Sequence, residues 1–190
     1  MKKIIRPRFF NRSPLKVADN ILGKYLVYNS GAKEIALLIA DVEAYDGPAD
    51  KASHAHRGRT ERNMPMFGAA GHWYLYLIYG RYWMLNIVTG PKNYPAAILI
   101  RGAVSESKNG KKTILNGPGK ITEFLKIGKT RARKTNGAAA SRKTGLWIED
   151  RGRLIKPREI IHGPRIGVQC AADWANKPWR RSLEYCDTIK

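Results

Sequence analysis

Residues 72–88, His72-Trp-Tyr-Leu-Tyr-Leu-Ile-Tyr-Gly-Arg-Tyr-Trp-Met-Leu-Asn-Ile-Val88, decide the fold. Trp73, Leu75 and Leu77 alternate with Tyr74, Tyr76 and Ile78, the period-2 pattern of a strand. Gly80 marks a tight turn, because only glycine takes positive φ without a steric penalty. The alternation resumes with Trp83, Leu85 and Ile87 on one face and Tyr82, Met84 and Asn86 on the other. The stretch therefore predicts a β-hairpin with Tyr79 at its tip. Hairpin turns favour small polar residues, so a large aromatic there either folds back onto its own domain or contacts something outside it.

Upstream, Ser13-Pro14 predicts a helix start, with Ser13 as N-cap and proline at the first helical position. Leu15, Val17, Ala18, Ile21 and Leu22 form its apolar face, and Gly23 ends it. Tyr25 to Tyr28 reads as a strand, and Glu34 to Tyr45 as a longer one buried on both faces. Asp46-Gly47-Pro48 breaks that strand, and Asp50 to Met66 reads as irregular. Ala96 to Ile100 predicts another buried strand, ending at Arg101. Asn116-Gly-Pro-Gly-Lys120 opens a short helix expected to turn Ile121, Phe124 and Leu125 inward. Lys129 to Lys143, with six basic residues and no acid, reads as a mobile basic loop. Leu146 to Ile148 and Ile166 to Val168 are further candidate strands. The expected fold is α+β: a single domain over residues 1–190, a curved, mainly antiparallel sheet with flanking helices, and a protruding β-hairpin.

Charge narrows the partners. There are 35 Lys and Arg against 15 Asp and Glu, a formal net charge of +20, which favours a polyanion. No apolar run approaches membrane-spanning length, and the basic start Met1-Lys-Lys-Ile-Ile-Arg lacks the core of a signal peptide. Beside a nucleic acid, Tyr79 reads as an apolar wedge of the kind pushed between base steps. The two cysteines, Cys170 and Cys186, lie in no metal-binding spacing, and neither His54 nor His56 completes a zinc site. No metal and no cofactor are expected.

Asp41 and Glu43, two apart near the end of a buried strand, share a face with Tyr45. A carboxylate there is either half of an ion pair, the expectation for Asp41, or a general base, the alternative open for Glu43.

Four segments, in order, resemble the alkyladenine (3-methyladenine) DNA glycosylase family. They are Val42-Glu-Ala-Tyr45; Asp50-Lys-Ala-Ser-His54 with Arg57 to Asn63 and Met66-Phe67; Tyr74 to Gly80 through Asn86-Ile87; and Ile98-Leu-Ile-Arg101. Weaker matches include Asn116-Gly-Pro118 with Lys120, Arg165 to Val168 and Trp174 to Pro178. After Arg101 that family continues Ala-Leu-Glu-Pro, whereas this chain has Gly102-Ala-Val-Ser105.

The resemblance implies a monofunctional glycosylase that flips alkylated purines out of double-stranded DNA and hydrolyses the glycosidic bond. It implies Glu43 as general base and Tyr45 and Tyr76 as stacking partners on either side of the base. His54 and Asn86 become base-pocket residues, Tyr79 the intercalating residue, and Arg101 and Lys120 DNA contacts. A monomer in the cytoplasm, or in the nucleus if eukaryotic, goes with that reading. Its rivals are a lysine-dependent bifunctional enzyme, a non-catalytic architectural DNA-binding protein, and a helix-hairpin-helix protein built on Gly117 to Lys120.

Overall fold

The structure, a computed structural model, describes residues 2–107 and 109–184. Cys186 lies outside the described residues. In chain order the elements are β1 Lys3–Ile4, α1 Pro7–Phe10, α2 Pro14–Ile21, β2 Tyr25–Asn29, β3 Glu34–Asp46, β4 Trp73–Ile78, β5 Tyr82–Val88, β6 Ala96–Glu106, β7 Lys112–Asn116, α3 Pro118–Phe124, α4 Lys129–Thr135, β8 Leu146–Asp150, β9 Ile160–Gly163 and β10 Arg180–Leu183. Short 3-10 turns cover Met64–Phe67, Pro157–Glu159 and Gln169–Trp174.

One antiparallel sheet runs β1-β8-β2-β3-β6-β5-β4, with β7 added to β6, and β10 and β9 added beside β3. This is the expected α+β architecture. β3 is its spine. Its first half pairs with β2, its second half pairs with β10 on the same edge, and β6 runs along the other edge. A strand flanked on both edges and covered on both faces must be apolar throughout, as Ile35 to Val42 nearly is.

The β3–β6 register slips by one residue and recovers at once. Ile39 pairs with Ala103, Asp41 with Gly102, and Val42 with Ile100, which leaves Ala40 and Arg101 without a direct partner. Such irregularities re-aim side chains, and here they set Asp41 beside Arg101. β6 therefore does not stop at Arg101, as its sequence predicts, but continues through the bulge to Glu106 because β7 pairs with its far half.

One sheet face is packed by α2 and α3. Val17, Ala18 and Ile21 meet Val42, Ala44, Ile98 and Ile100, and Ile121 and Leu125 join the same core with Trp73, Leu75 and Leu85. Trp73 is fully buried and donates its indole N–H to the Leu146 carbonyl at 3.0 Å. Truncating it to alanine would cost about 3–5 kcal/mol. α2 starts as read: Ser13 accepts from the Lys16 N–H, and Pro14 is its first residue.

Three expectations need correction. Lys129–Thr135 forms helix α4 rather than a loop, because Ala132 and Thr135 are buried and Arg131 bonds the Asn29 and Thr144 carbonyls. The residues after it pair with the chain around Trp73. Phe124 does not turn inward but is 38% exposed, since Ile121 and Leu125 fill the core side of α3. Ile166 to Val168 is no strand; it bends across the end of β3. Among the described residues no helix is long and apolar enough to cross a membrane.

Candidate active site

The other face of the sheet, at the C-terminal end of β3, is left open. There a cavity of about 770 Å³ is lined by Glu43 and Tyr45 from β3, Tyr74 and Tyr76 from β4, Met84 and Asn86 from β5, and Leu99 and Arg101 from β6. That volume lies within the range of small-molecule sites. Strand parity explains the lining. Tyr74 pairs with Asn86 and Tyr76 with Met84, so all four project from the face opposite Trp73, Leu75 and Leu85.

Glu43 is 0% exposed. Its Oε2 accepts the Tyr45 hydroxyl at 2.8 Å, and its Oε1 accepts the Ile166 N–H at 2.9 Å. The Arg101 Nη1 stands 3.4 Å from the same Oε1. Two hydrogen-bond donors and one guanidinium thus surround the buried carboxylate charge. The neighbouring phenols answer that charge. Burial, and then Glu43, push Tyr76 up to about 12 and Tyr45 well above the ordinary tyrosine range. Tyr45 thus keeps its proton and remains a donor to Glu43.

Rings make up one wall. His54 meets Tyr76 edge-on at 4.4 Å between centroids, and Tyr76 lies 5.2 Å from Tyr74. The His54 Nδ1 and the Tyr74 hydroxyl are hydrogen bonded at 2.9 Å. Burial, helped by the Arg62 charge, lowers the His54 pKa, so a neutral imidazole faces the cavity at neutral pH. Asn86 is 2% exposed and donates its amide to the Tyr74 and Met84 carbonyls at 3.1 and 3.2 Å. That commitment fixes the amide orientation and leaves Oδ1 for a ligand, so Asn86 can only accept.

Tyr79 lies at the rim of this cavity, 91% exposed, with φ of 49°; Gly80 follows at 65°, and the Arg81 N–H closes the turn on the Ile78 carbonyl. Arg101 lies in the cavity wall between two acids rather than on the outer surface. Lys120 is exposed on α3, two residues from Pro118, which touches the cavity.

Sequence reasoning missed the groups that hold these residues. Arg165 is buried and forms a two-point ion pair with buried Asp50; its Nη1 also donates to the Ala44 carbonyl at 2.9 Å, and its guanidinium lies 4.8 Å from the Tyr45 ring centroid. It ties the loop bearing His54 to the segment that lies over Glu43. Asn63 braces the same loop, donating to the His54 and Gly58 carbonyls. Asp41 is an ion pair, as expected, and its partner is Arg180 on β10. Only the run of family-like residues around Asp50, Asn63 and Arg165 hinted at these roles.

A family profile described as methylpurine-DNA glycosylase matches residues 8–186. A Methanocella arvoryzae protein provisionally named 3-methyladenine DNA glycosylase is 43% identical over 188 residues, 93% of this chain and 90% of its own length. An Ehrlichia chaffeensis protein of the same provisional name is 45% identical over 177 residues, 93% of this chain and 91% of its own. One from Ehrlichia ruminantium is 40% identical and covers 99% of this chain and 96% of its own.

Proposed function

The chain belongs to the methylpurine-DNA glycosylase family, and from that premise we propose that it is a DNA repair glycosylase that excises alkylated purines from duplex DNA by hydrolysis. The observation that carries the reading is the fully buried Glu43 carboxylate facing a cavity walled by Tyr45, Tyr76 and His54, with Tyr79 exposed at its rim. A purine methylated at N3 or N7 is cationic. It leaves readily, and it pairs well with electron-rich rings such as Tyr45 and Tyr76. Extrusion costs a few kcal/mol and least for a damaged base, so flipping itself selects. Tyr79 fills the gap in the stack, and Asn86 Oδ1 accepts from a purine N–H.

As the bond between C1′ and the purine nitrogen breaks, its electron pair leaves with the base and neutralises it. The sugar becomes oxocarbenium-like, and ionised Glu43 stabilises it. Water then adds to C1′ through oxygen while Glu43 takes its proton, leaving an abasic site. Tyr45 and Ile166 hold the carboxylate still, and Arg101 supports its charge. The basic surface grips the phosphates, and a monomer suffices for every step.

Lys51 also lines the cavity, which gives the rival imine route a candidate amine. A release assay on duplexes each carrying one modified base, at two salt concentrations with borohydride added, tests both routes. Free methylpurine without a trapped adduct supports hydrolysis. A trapped protein–DNA adduct would transfer the reading to the imine route, and no release from any duplex would refute excision.

A further inference from the structure

Four charges meet at the end of β3. Arg180 stands directly opposite Glu43 in the β3–β10 register, so the two side chains share a face. Yet the Arg180 guanidinium bonds the diagonal neighbour, Asp41: Nε is 3.0 and 3.1 Å from the two carboxylate oxygens, and Nη2 is 2.9 Å from Oδ2. Arg101 sits between the acids, its Nη1 3.4 Å from Glu43 and its Nε 3.7 Å from Asp41. That Nε is buried and has no hydrogen-bond partner. Asp41 and Glu43 are both 0% exposed, and two cations balance them.

We infer that Asp41 is a positioning residue for base release: it holds Arg180 off Glu43 and shares Arg101 with it, so that Glu43 keeps an oxygen lone pair free for water. This rests on the hydrolytic reading above. A carboxylate has about four acceptor sites. Tyr45 and Ile166 take two at Glu43, Arg101 adds its charge at 3.4 Å, and a forked Arg180 would close the other two.

The chain is built to admit Asp41 there. A Cβ on residue 102 would come 2.8 Å from the Asp41 Cβ, so Gly102 makes the room at the bulge. Asp41 also gives the arrangement a pH limit. The charged groups around it are Glu43 on its own strand, Arg101 on β6 and Arg180 on β10; Tyr45 and Tyr76 keep their protons. Burial, against the pull of Arg180 and Arg101, raises Asp41 to about 6. Below that pH the carboxyl takes a proton and its hold on Arg180 weakens.

The test is single-turnover release from a duplex carrying one 7-methylguanine, across pH, for wild type, D41N, R180M and D41N/R180M. D41N should lose roughly 100-fold at neutral pH, within the ~10²–10⁴ range a general base contributes, and its acid limb should move to lower pH. R180M has no guanidinium to fall on Glu43, so its acid limb should also move to lower pH. The double variant restores the charge balance and should recover most of the rate. Binding to an abasic-site duplex should change little in all four proteins, and R180M carries the test alone if D41N fails to fold. A wild-type rate in D41N, an acid limb in R180M that stays in place or moves to higher pH, or a double variant slower than either single would overturn the inference while leaving excision standing. Absence of release by wild type would overturn excision and this inference together.

Discussion

Replacing Tyr79 by glycine should separate stability from activity. Tyr79 has φ of 49° and is 91% exposed. A side chain in the left-handed region costs about 1–2 kcal/mol, which glycine does not incur. Glycine in turn frees the unfolded chain, a loss of about 0.5–1 kcal/mol. The turn's bond from the Arg81 N–H to the Ile78 carbonyl uses no side chain and persists. The balance is a protein unchanged or about 1 kcal/mol more stable, a Tm shift of roughly 0 to +4 °C for a domain of this size. The wedge, however, is gone. Stacking contacts of this kind are worth about 1–3 kcal/mol, or roughly 5- to 150-fold in the flipped population. Fluorescence of 2-aminopurine beside the lesion reads that population, and a thermal melt reads stability. Tyr79→Ala should lose the same fluorescence response without the gain in Tm. An unchanged 2-aminopurine signal, or a substantial fall in Tm, would show that Tyr79 serves its own domain and would refute the wedge.

Other outcomes follow from the same geometry. Tyr76→Ala should cost about 1–3 kcal/mol of base stacking, read as a 5- to 150-fold loss in single-turnover release; wild-type activity would exclude stacking there. Arg165→Met leaves Asp50 as an unpaired buried charge, so it should cost about 3–5 kcal/mol, or roughly 10 °C in Tm; a melt within a degree of wild type would contradict the tether. Grip on ~5 phosphates predicts roughly a 500-fold fall in DNA affinity over a fourfold rise in salt, and a flat response would deny the basic surface its role.

The hairpin was legible because alternation over two six- to seven-residue runs leaves one register that buries Trp73 and Leu75 while turning Tyr74 and Tyr76 to the opposite face. The shared face of Glu43 and Tyr45 followed from parity alone, and the start of α2 from Ser13-Pro14. Other elements carry no local signal. β10, Arg180-Arg-Ser-Leu183, lacks strand alternation and exists because the second half of β3 has an edge to fill. Ile166 to Val168 has strand-like residues, but its use is one backbone N–H given to Glu43. α4 has few apolar residues and is held by Ala132, Thr135 and the bonds of Arg131. The site's support was hidden for a related reason. Asp50 and Arg165 are 115 residues apart, and Asp41 and Arg180 are 139 apart. Only the fold brings such charges together, and no spacing rule reaches that far.

The central claim is that the Glu43 carboxylate performs the hydrolysis. Glu43→Gln keeps the shape, and its amide can still face Tyr45 and Ile166, but it removes the charge and the proton acceptor. Free 7-methylguanine from a singly modified duplex, quantified by mass spectrometry, should vanish in the variant while its affinity for an abasic-site duplex stays near that of wild type. Release at the wild-type rate, or equal loss of release and binding, would contradict the account.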